Sequence, residues 1–159
     1  MKSNQQIIQQ TFPKNIGLIS FSMLEGLKED VLRISDYGNS FVLNNEELIL
    51  PYRVYCDPYL LVYSRNQSVK QKLVAFCLLT RHHNGFVRER YLKEIITSKE
   101  KWVIPFVVQL MGEYVVEILT IIWESIDDIN KDNLVSFIIE NKSYWAKTKQ
   151  RIASYYGEY

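Results

Sequence analysis

The rhythm of apolar and polar positions changes near residue 66. Ahead of that point it is mixed. Phe21, Leu24, Leu27 and Val31 recur at three- and four-residue spacing and predict a short helix, weakened by Gly26. Phe41-Val42-Leu43, Asn44-Asn45 and Glu47 to Tyr55 read as two strands joined by a tight turn. Asparagine tolerates the positive φ that a two-residue hairpin loop demands. In the second strand Leu48, Leu50, Tyr52 and Val54 alternate with Glu47, Ile49, Pro51 and Arg53. Pro51 has no N–H for a ladder, so it confines that strand to an edge or a bulge. Asp57-Pro58 closes the segment as a turn.

Beyond residue 66 the period is helical. Ser68-Val69-Lys70-Gln71 has capping-box spacing and opens a helix with Val69, Leu73, Phe76-Cys77 and Thr80 on one face. That helix stops at His82-His83-Asn84-Gly85, where Asn84 is a good N-cap for the next, which turns Val87, Tyr91-Leu92 and Ile95 inward. Thr97-Ser98-Lys99-Glu100 has the same box spacing ahead of the run from Trp102. Pro105 fits a first turn or a kink, and Gly112 leaves one long helix or two equally open. Asn130 or Asp132 can cap a helix with Leu134, Phe137 and Ile138 inward. Ser143 can cap a last one carrying Trp145, Thr148, Ile152 and Tyr155. Taken as pairs, the units begin near residues 68, 99 and 131, a period of about 31 residues of the kind stacked helical repeats show.

Trp102 to Ile126 is apolar enough to imitate a membrane span. Gln109, Glu113, Glu117, Thr120 and Glu124 recur through it in helical register, and three carboxylates in one lipid-facing helix would cost too much. A central helix of a soluble protein is the expectation, with no membrane partner.

Composition narrows the picture further. The chain has 159 residues, 47% of them apolar, which suits one domain with a packed core. The expected division is a mixed segment over 1–66, with a short helix and a β-hairpin, and a helical region over 67–159. The fold class is therefore mostly α: stacked helical pairs or an irregular bundle with a small N-terminal β-hairpin. Lys plus Arg number 19 and Asp plus Glu 18, so no overall basic excess points to nucleic acid. Cys56 and Cys77 lie outside any CxxC or metal-ligand spacing, and Met1 to Gln10 has no hydrophobic signal region. Both observations point to a reducing cytoplasm.

Thr80-Arg81-His82-His83-Asn84-Gly85-Phe86-Val87-Arg88-Glu89-Arg90-Tyr91-Leu92 resembles the turn and second helix of a HEAT repeat, in which an Asp or Asn in the turn precedes Val-Arg. Asn84 and Val87-Arg88 carry the resemblance, which covers one clear unit, 68–97. The next unit has Glu113-Tyr114-Val115-Val116-Glu117 instead, without the Asp/Asn or the Arg. The phrases Pro51-Tyr52-Arg53-Val54-Tyr55, Thr80 to Val87 and Trp102 to Glu117 are also similar to a family of uncharacterised bacterial proteins. The HEAT resemblance implies protein binding in most cases and nucleic-acid binding in some; the second implies no activity.

Arg81, His82, His83 and Arg88 form the densest polar cluster. They suit an anion site at a helix N-terminus, or a turn that Arg88 bonds back onto. Glu113 and Glu117, with His82 or His83, could serve as acid–base groups or metal ligands, or could meet Arg81, Arg88 or Arg90 in a structural ion-pair network. No HExxH, G-x-S-x-G, P-loop or GxGxxG is present, so no catalytic residue, metal ligand or cofactor is assigned. Lys142, Lys147, Lys149 and Arg151 interleave with Tyr144, Trp145, Tyr155 and Tyr156, which suits a single strand of nucleic acid or an amphipathic helix with its aromatics inside. Tyr52, Arg53, Trp145, Tyr155 and Tyr156 are the candidate interface. The expected function is a non-enzymatic protein-interaction module. The alternatives are a nucleic-acid-associated protein using Arg81, Arg88 and the C-terminal helix, and a small enzyme using Glu113, Glu117 and His83.

Overall fold

The structure, a computed structural model, describes residues 1–63 and 66–157, except for the side chain of Tyr156. The chain is mostly α with a small antiparallel β element. In order it forms α1 (Asn4–Thr11), α2 (Lys14–Leu24), β1 (Leu32–Ile34), β2 (Gly38–Leu43), β3 (Glu46–Pro51), β4 (Val54–Cys56), α3 (Pro58–Val62), α4 (Val69–Leu79) and α5 (Gly85–Ile95). A 3₁₀ turn (Lys101–Val103) leads into α6 (Ile104–Met111), and α7 (Val116–Glu124), α8 (Lys131–Glu140) and α9 (Lys142–Gly157) follow.

The N-terminal helices differ from the pattern reading. Ser3 and Gln6 form a capping box that starts α1, and Ile7, Ile8 and Phe12 bury its inner side. The helix expected around Phe21 to Val31 lies earlier. It stops at Leu24, because Gly26 adopts a φ of +84° and turns the chain, leaving Val31 exposed.

The hairpin is as expected. Asn44 and Asn45 have φ of 49° and 65°, and Leu43↔Glu46 closes the β2–β3 register. The alternation of the second strand fails at Pro51, where the ladder ends. The chain breaks at Tyr52-Arg53 and resumes as β4, paired with β1 through Ile34↔Val54 and Leu32↔Cys56. Gly38 faces Pro51, and a Cβ there would lie 1.8 Å from the carbonyl oxygen of Leu50, so only glycine allows this crossing. Asp57 caps α3, with Pro58 in its first turn, where a simple turn was expected.

The capping boxes fare unequally. Ser68 and Gln71 form theirs, and Asn84 and Asn130 cap α5 and α8. Thr97 to Glu100 form none; Glu100 N–H donates instead to Ser98 Oγ at 3.2 Å, and the chain enters the 3₁₀ turn. Ser143 caps nothing, because α9 starts directly after Asn141. The face of α4 is rotated from the reading: Val69 is exposed, and Val74, Ala75 and Leu78 are buried beside Cys77. Pro105 sits in the first turn of α6. Gly112 ends α6, so Trp102 to Ile126 holds two α-helices and the polar stripe is not one face. Gln109 is buried on α6, Glu113 lies in the loop, and Glu117, Thr120 and Glu124 belong to α7.

α6 is buried at every position. Phe12 of α1 stacks on Phe106 and meets Trp102 edge-on, with ring centres 5.6 and 5.8 Å apart, and Phe41 of β2 packs on Phe137 of α8. One hydrophobic core thus runs from α1 and the hairpin into the helical pairs α4–α5, α6–α7 and α8–α9.

Candidate functional site

The predicted polar cluster assembles, with Arg53 added, around Glu113. Three turns converge there: the β3–β4 break, the α4–α5 turn and the α6–α7 loop. Glu113 Oε1 accepts from Arg81 Nη1 at 2.5 Å and from Arg53 Nη1 at 3.1 Å. Arg88 Nε faces Oε2 at 3.3 Å as an ion pair, out of line for a hydrogen bond. The rest of the guanidinium donors go mainly to backbone. Arg81 donates to the carbonyls of Pro51 and Tyr52 at 3.1 and 2.9 Å, and Arg53 to that of Tyr52 at 3.0 Å. Arg88 donates to those of His82 and His83 at 2.9 and 3.2 Å. Arg81 is 1% exposed. The cluster therefore ties the β element to the helical pairs. Its backbone frame is continuous: Val54 N–H donates to Arg81 C=O, and His83 N–H to Val54 C=O.

The electrostatics of the cluster oppose proton transfer. Burial pushes the Glu113 carboxyl up, but Arg81, Arg53 and Arg88 together hold it below the ordinary carboxylate range. It stays ionised at neutral pH. Arg81 and Arg88 are each lowered by burial, against the attraction of Glu113. Burial also lowers His82. Its Nε2 lies 2.7 Å from the carbonyl of Cys56 and its Nδ1 accepts from Asn84 N–H, which fits a neutral ring with the proton on Nε2. His83 is exposed and stacks on Tyr55, over which Arg33 also lies. Glu117 is exposed on α7 and is not among the groups on Glu113, so the four-residue spacing does not make a carboxylate pair. Among the described residues no group of three or more His, Cys, Asp or Glu side chains could hold a metal ion, and no helix is long and apolar enough to cross a membrane.

The candidate interface residues scatter. Tyr52 is half exposed, stacked on Tyr37 and covered by Arg53. Trp145 packs partly buried on the core, and Tyr155 is buried with its ring edge-on to Tyr114. Tyr144 bonds Gln109 through its hydroxyl. The side chain of Tyr156 lies outside the described residues. Four cations of α9 remain at the surface: Lys142, Lys147, Lys149 and Arg151.

The pattern reading passed over α7. Its sequence, VEILTIIWE, is apolar on two opposite faces. Ile118, Ile121 and Ile122 are buried, while Trp123 is 75% and Val116 59% exposed. Val116, Leu119, Thr120, Trp123 and Glu124, with Tyr155 of α9, line a largely apolar groove of about 620 Å3. The spacing 116, 119, 120, 123 marks that second face, and it stands apart once Gly112 ends α6 and α7 begins anew. Comparison of the chain with protein-family models, curated proteins and solved structures gives no match.

Proposed function

We propose that the protein is a non-enzymatic interaction module of helical pairs, one of them (68–97) HEAT-like in its turn sequence, which presents the bare face of α7 to a helical segment of a protein partner. The observation that carries this reading is Trp123, exposed beside Val116 at the mouth of an apolar groove. A helix with apolar residues on two opposite faces is normally covered on both; among the described residues α7 buries only the face of Ile118, Ile121 and Ile122.

Charge selects the occupant. No Lys or Arg occurs between Lys101 and Lys131, while Glu117, Glu124, Asp127 and Asp128 follow the exposed face and its end. Two copies packed antiparallel through α7 would set these carboxylates against one another. An amphipathic helix with a basic flank would oppose them with cations and lay its apolar stripe in the groove. The polar cluster supports the same reading by default, because its donors are engaged and its carboxylate is held ionised. Nucleic-acid association would retain only the α9 cations, since Arg81 and Arg88 are committed to Glu113 and to backbone carbonyls.

The test is titration with a designed, fluorescein-labelled leucine–lysine amphipathic helical peptide and its leucine–glutamate counterpart, with affinity read by anisotropy and tryptophan emission recorded on the wild type. The lysine peptide should shift Trp123 emission to the blue, and Trp123→Ala and Glu117→Lys/Glu124→Lys should each weaken binding about tenfold or more, or about 1.4 kcal/mol. Equal binding of both peptides, or an effect that survives Trp123→Ala, would overturn it.

A further inference from the structure

One edge of β2 pairs with β3; among the described residues no strand pairs with the other. The two-residue loop makes Leu43↔Glu46, Phe41↔Leu48 and Asn39↔Leu50 the pairs that exchange ladder bonds, so the N–H and C=O groups of Val42, Ser40 and Gly38 point away from β3. At Val42 this outward set is already engaged. Its N–H donates to Asn141 Oδ1 at 2.7 Å, and its C=O accepts from Asn141 Nδ2 at 2.8 Å. A side-chain amide thus stands where a residue of a third strand would stand. Beyond it, Ser40 is exposed, and among the described residues nothing pairs with its outward backbone groups.

Two grooves meet along this edge and share Ser40, Ser143 and Tyr144. The first, of about 870 Å3, has Val42 and Ile49 in its floor and Ile139 and Lys142 in its wall. The second, of about 330 Å3, runs from Gly38 past Lys147 to Arg151. Their charge is graded. The carboxylates, Glu47 and Glu140, line only the first groove, and Glu140 is held by Lys101 at 3.7 Å and by the turn amides of Asn44 and Asn45. The cations Lys147 and Arg151 line the second, and among the described residues neither forms an ion pair. No Asp or Glu occurs between residues 142 and 157 to neutralise them.

We infer that this edge accepts an extended acidic peptide segment as a third strand, paired to Ser40 and Gly38, with its carboxylates toward Lys147 and Arg151. The alternation of donor and acceptor along the edge matches a peptide main chain; a free anion at the Ser40 N–H would also meet the Ser40 carbonyl. A partner helix cannot satisfy these groups, because its own backbone bonds are internal. The site is separate from the groove on α7 and does not depend on it.

The probe is a fluorescein-labelled alternating valine–glutamate peptide, measured by anisotropy. It is compared with the same peptide N-methylated at alternate amides, with a valine–lysine peptide, and with inorganic phosphate as competitor. Ser40→Pro deletes an outward N–H and leaves the ladder to β3 intact, since Ser40↔Ile49 is a non-bonded pair. Lys147→Glu/Arg151→Glu reverses the wall, and Lys149→Glu, which lines neither groove, is the control. The acidic peptide should bind, should shift the Ser40 amide resonance of the wild type, and should weaken about tenfold or more with N-methylation, with Ser40→Pro and with the double charge reversal, but not with Lys149→Glu. No binding, equal binding of the N-methylated peptide, or full displacement by millimolar phosphate would overturn the proposal. The N-methylated arm decides the matter on wild-type protein even if Ser40→Pro fails to fold.

Discussion

Glu113→Gln tests how the β element is held to the helices. The substitution keeps the shape, removes the charge and replaces one acceptor oxygen with an amide NH2 that can only donate toward the guanidinium groups. What it leaves behind is three guanidinium groups with no carboxylate: Arg81 at 1% side-chain exposure, Arg88 at 9% and Arg53 at 18%. Removing one partner from a buried ion pair costs about 3–5 kcal/mol, because the other charge stays buried and uncompensated. Arg53 is the most exposed of the three and adds least; Arg81 sets the scale. Against a total stability of about 5–15 kcal/mol, the loss is large. It corresponds to a fall in melting temperature of roughly 10 °C for a chain of this size.

Urea unfolding at pH 7 gives the measurement, with the midpoint falling and the slope unchanged if the native fold is kept. Acid titration supplies a second readout. Because the folded-state pKa of Glu113 is depressed, its contribution is present above the ordinary carboxylate pKa and is lost as pH falls through the folded value. The gap between wild type and Glu113→Gln should therefore narrow on acidification. A loss of less than about 1 kcal/mol at pH 7, the range of a solvated surface pair, would refute the idea that Glu113 neutralises buried cations.

Three further outcomes are expected. Gly38→Ala should cost at least about 1–3 kcal/mol in urea unfolding, because its Cβ would overlap the Leu50 carbonyl; an unchanged midpoint would refute that close crossing. Asn45→Val places a β-branched residue at a φ of 65° and should destabilise by about 1–3 kcal/mol, whereas Asn45→Gly should be near neutral; equal effects would argue against the turn geometry. Burial, with Asp57 beside it, pushes the Cys56 thiol up to about 11, and burial holds the Cys77 thiol well above its ordinary value, so neither should react quickly with iodoacetamide at pH 8 until urea is added. Fast native alkylation of Cys56 would count against its placement.

What the sequence made legible was local. The Asn44-Asn45 turn, the Ser68 box and the Asn84 and Asn130 caps each satisfy a backbone demand within a few residues, and each appears where the pattern put it. What it hid depends on distant partners. The face of α4 rotates because Val74 and Ala75 meet the core while Val69 does not. Asn141 could have been an ordinary helix end; its role is fixed by Val42, ninety-nine residues earlier. Arg53 read as a surface strand residue until the loop after Gly112 brought Glu113 to it. That loop also decided α7, since a continuous helix would have kept Glu113 and Glu117 on one face and left the second apolar face of α7 unnoticed.

The near-neutral total charge conceals a segregation with physical consequences. From residue 102 to 130 the chain carries acids and no Lys or Arg; from 142 to 157 it carries four cations and no acid. Glu113 is drawn inward by arginines from the β3–β4 break and from the α4–α5 turn and its helix, so the acids left at the surface cluster around α7. Among the described residues the cations of α9 form no ion pair, and three of them, Lys142, Lys147 and Arg151, line the grooves along the edge of β2. The range of such fields in physiological salt is about 8 Å, shorter than either helix, so a partner arriving at α7 and one arriving at α9 would each meet a local field of one sign. The net charge of +1 says nothing of this, and salt dependence measured separately at each face is the quantity that would report it.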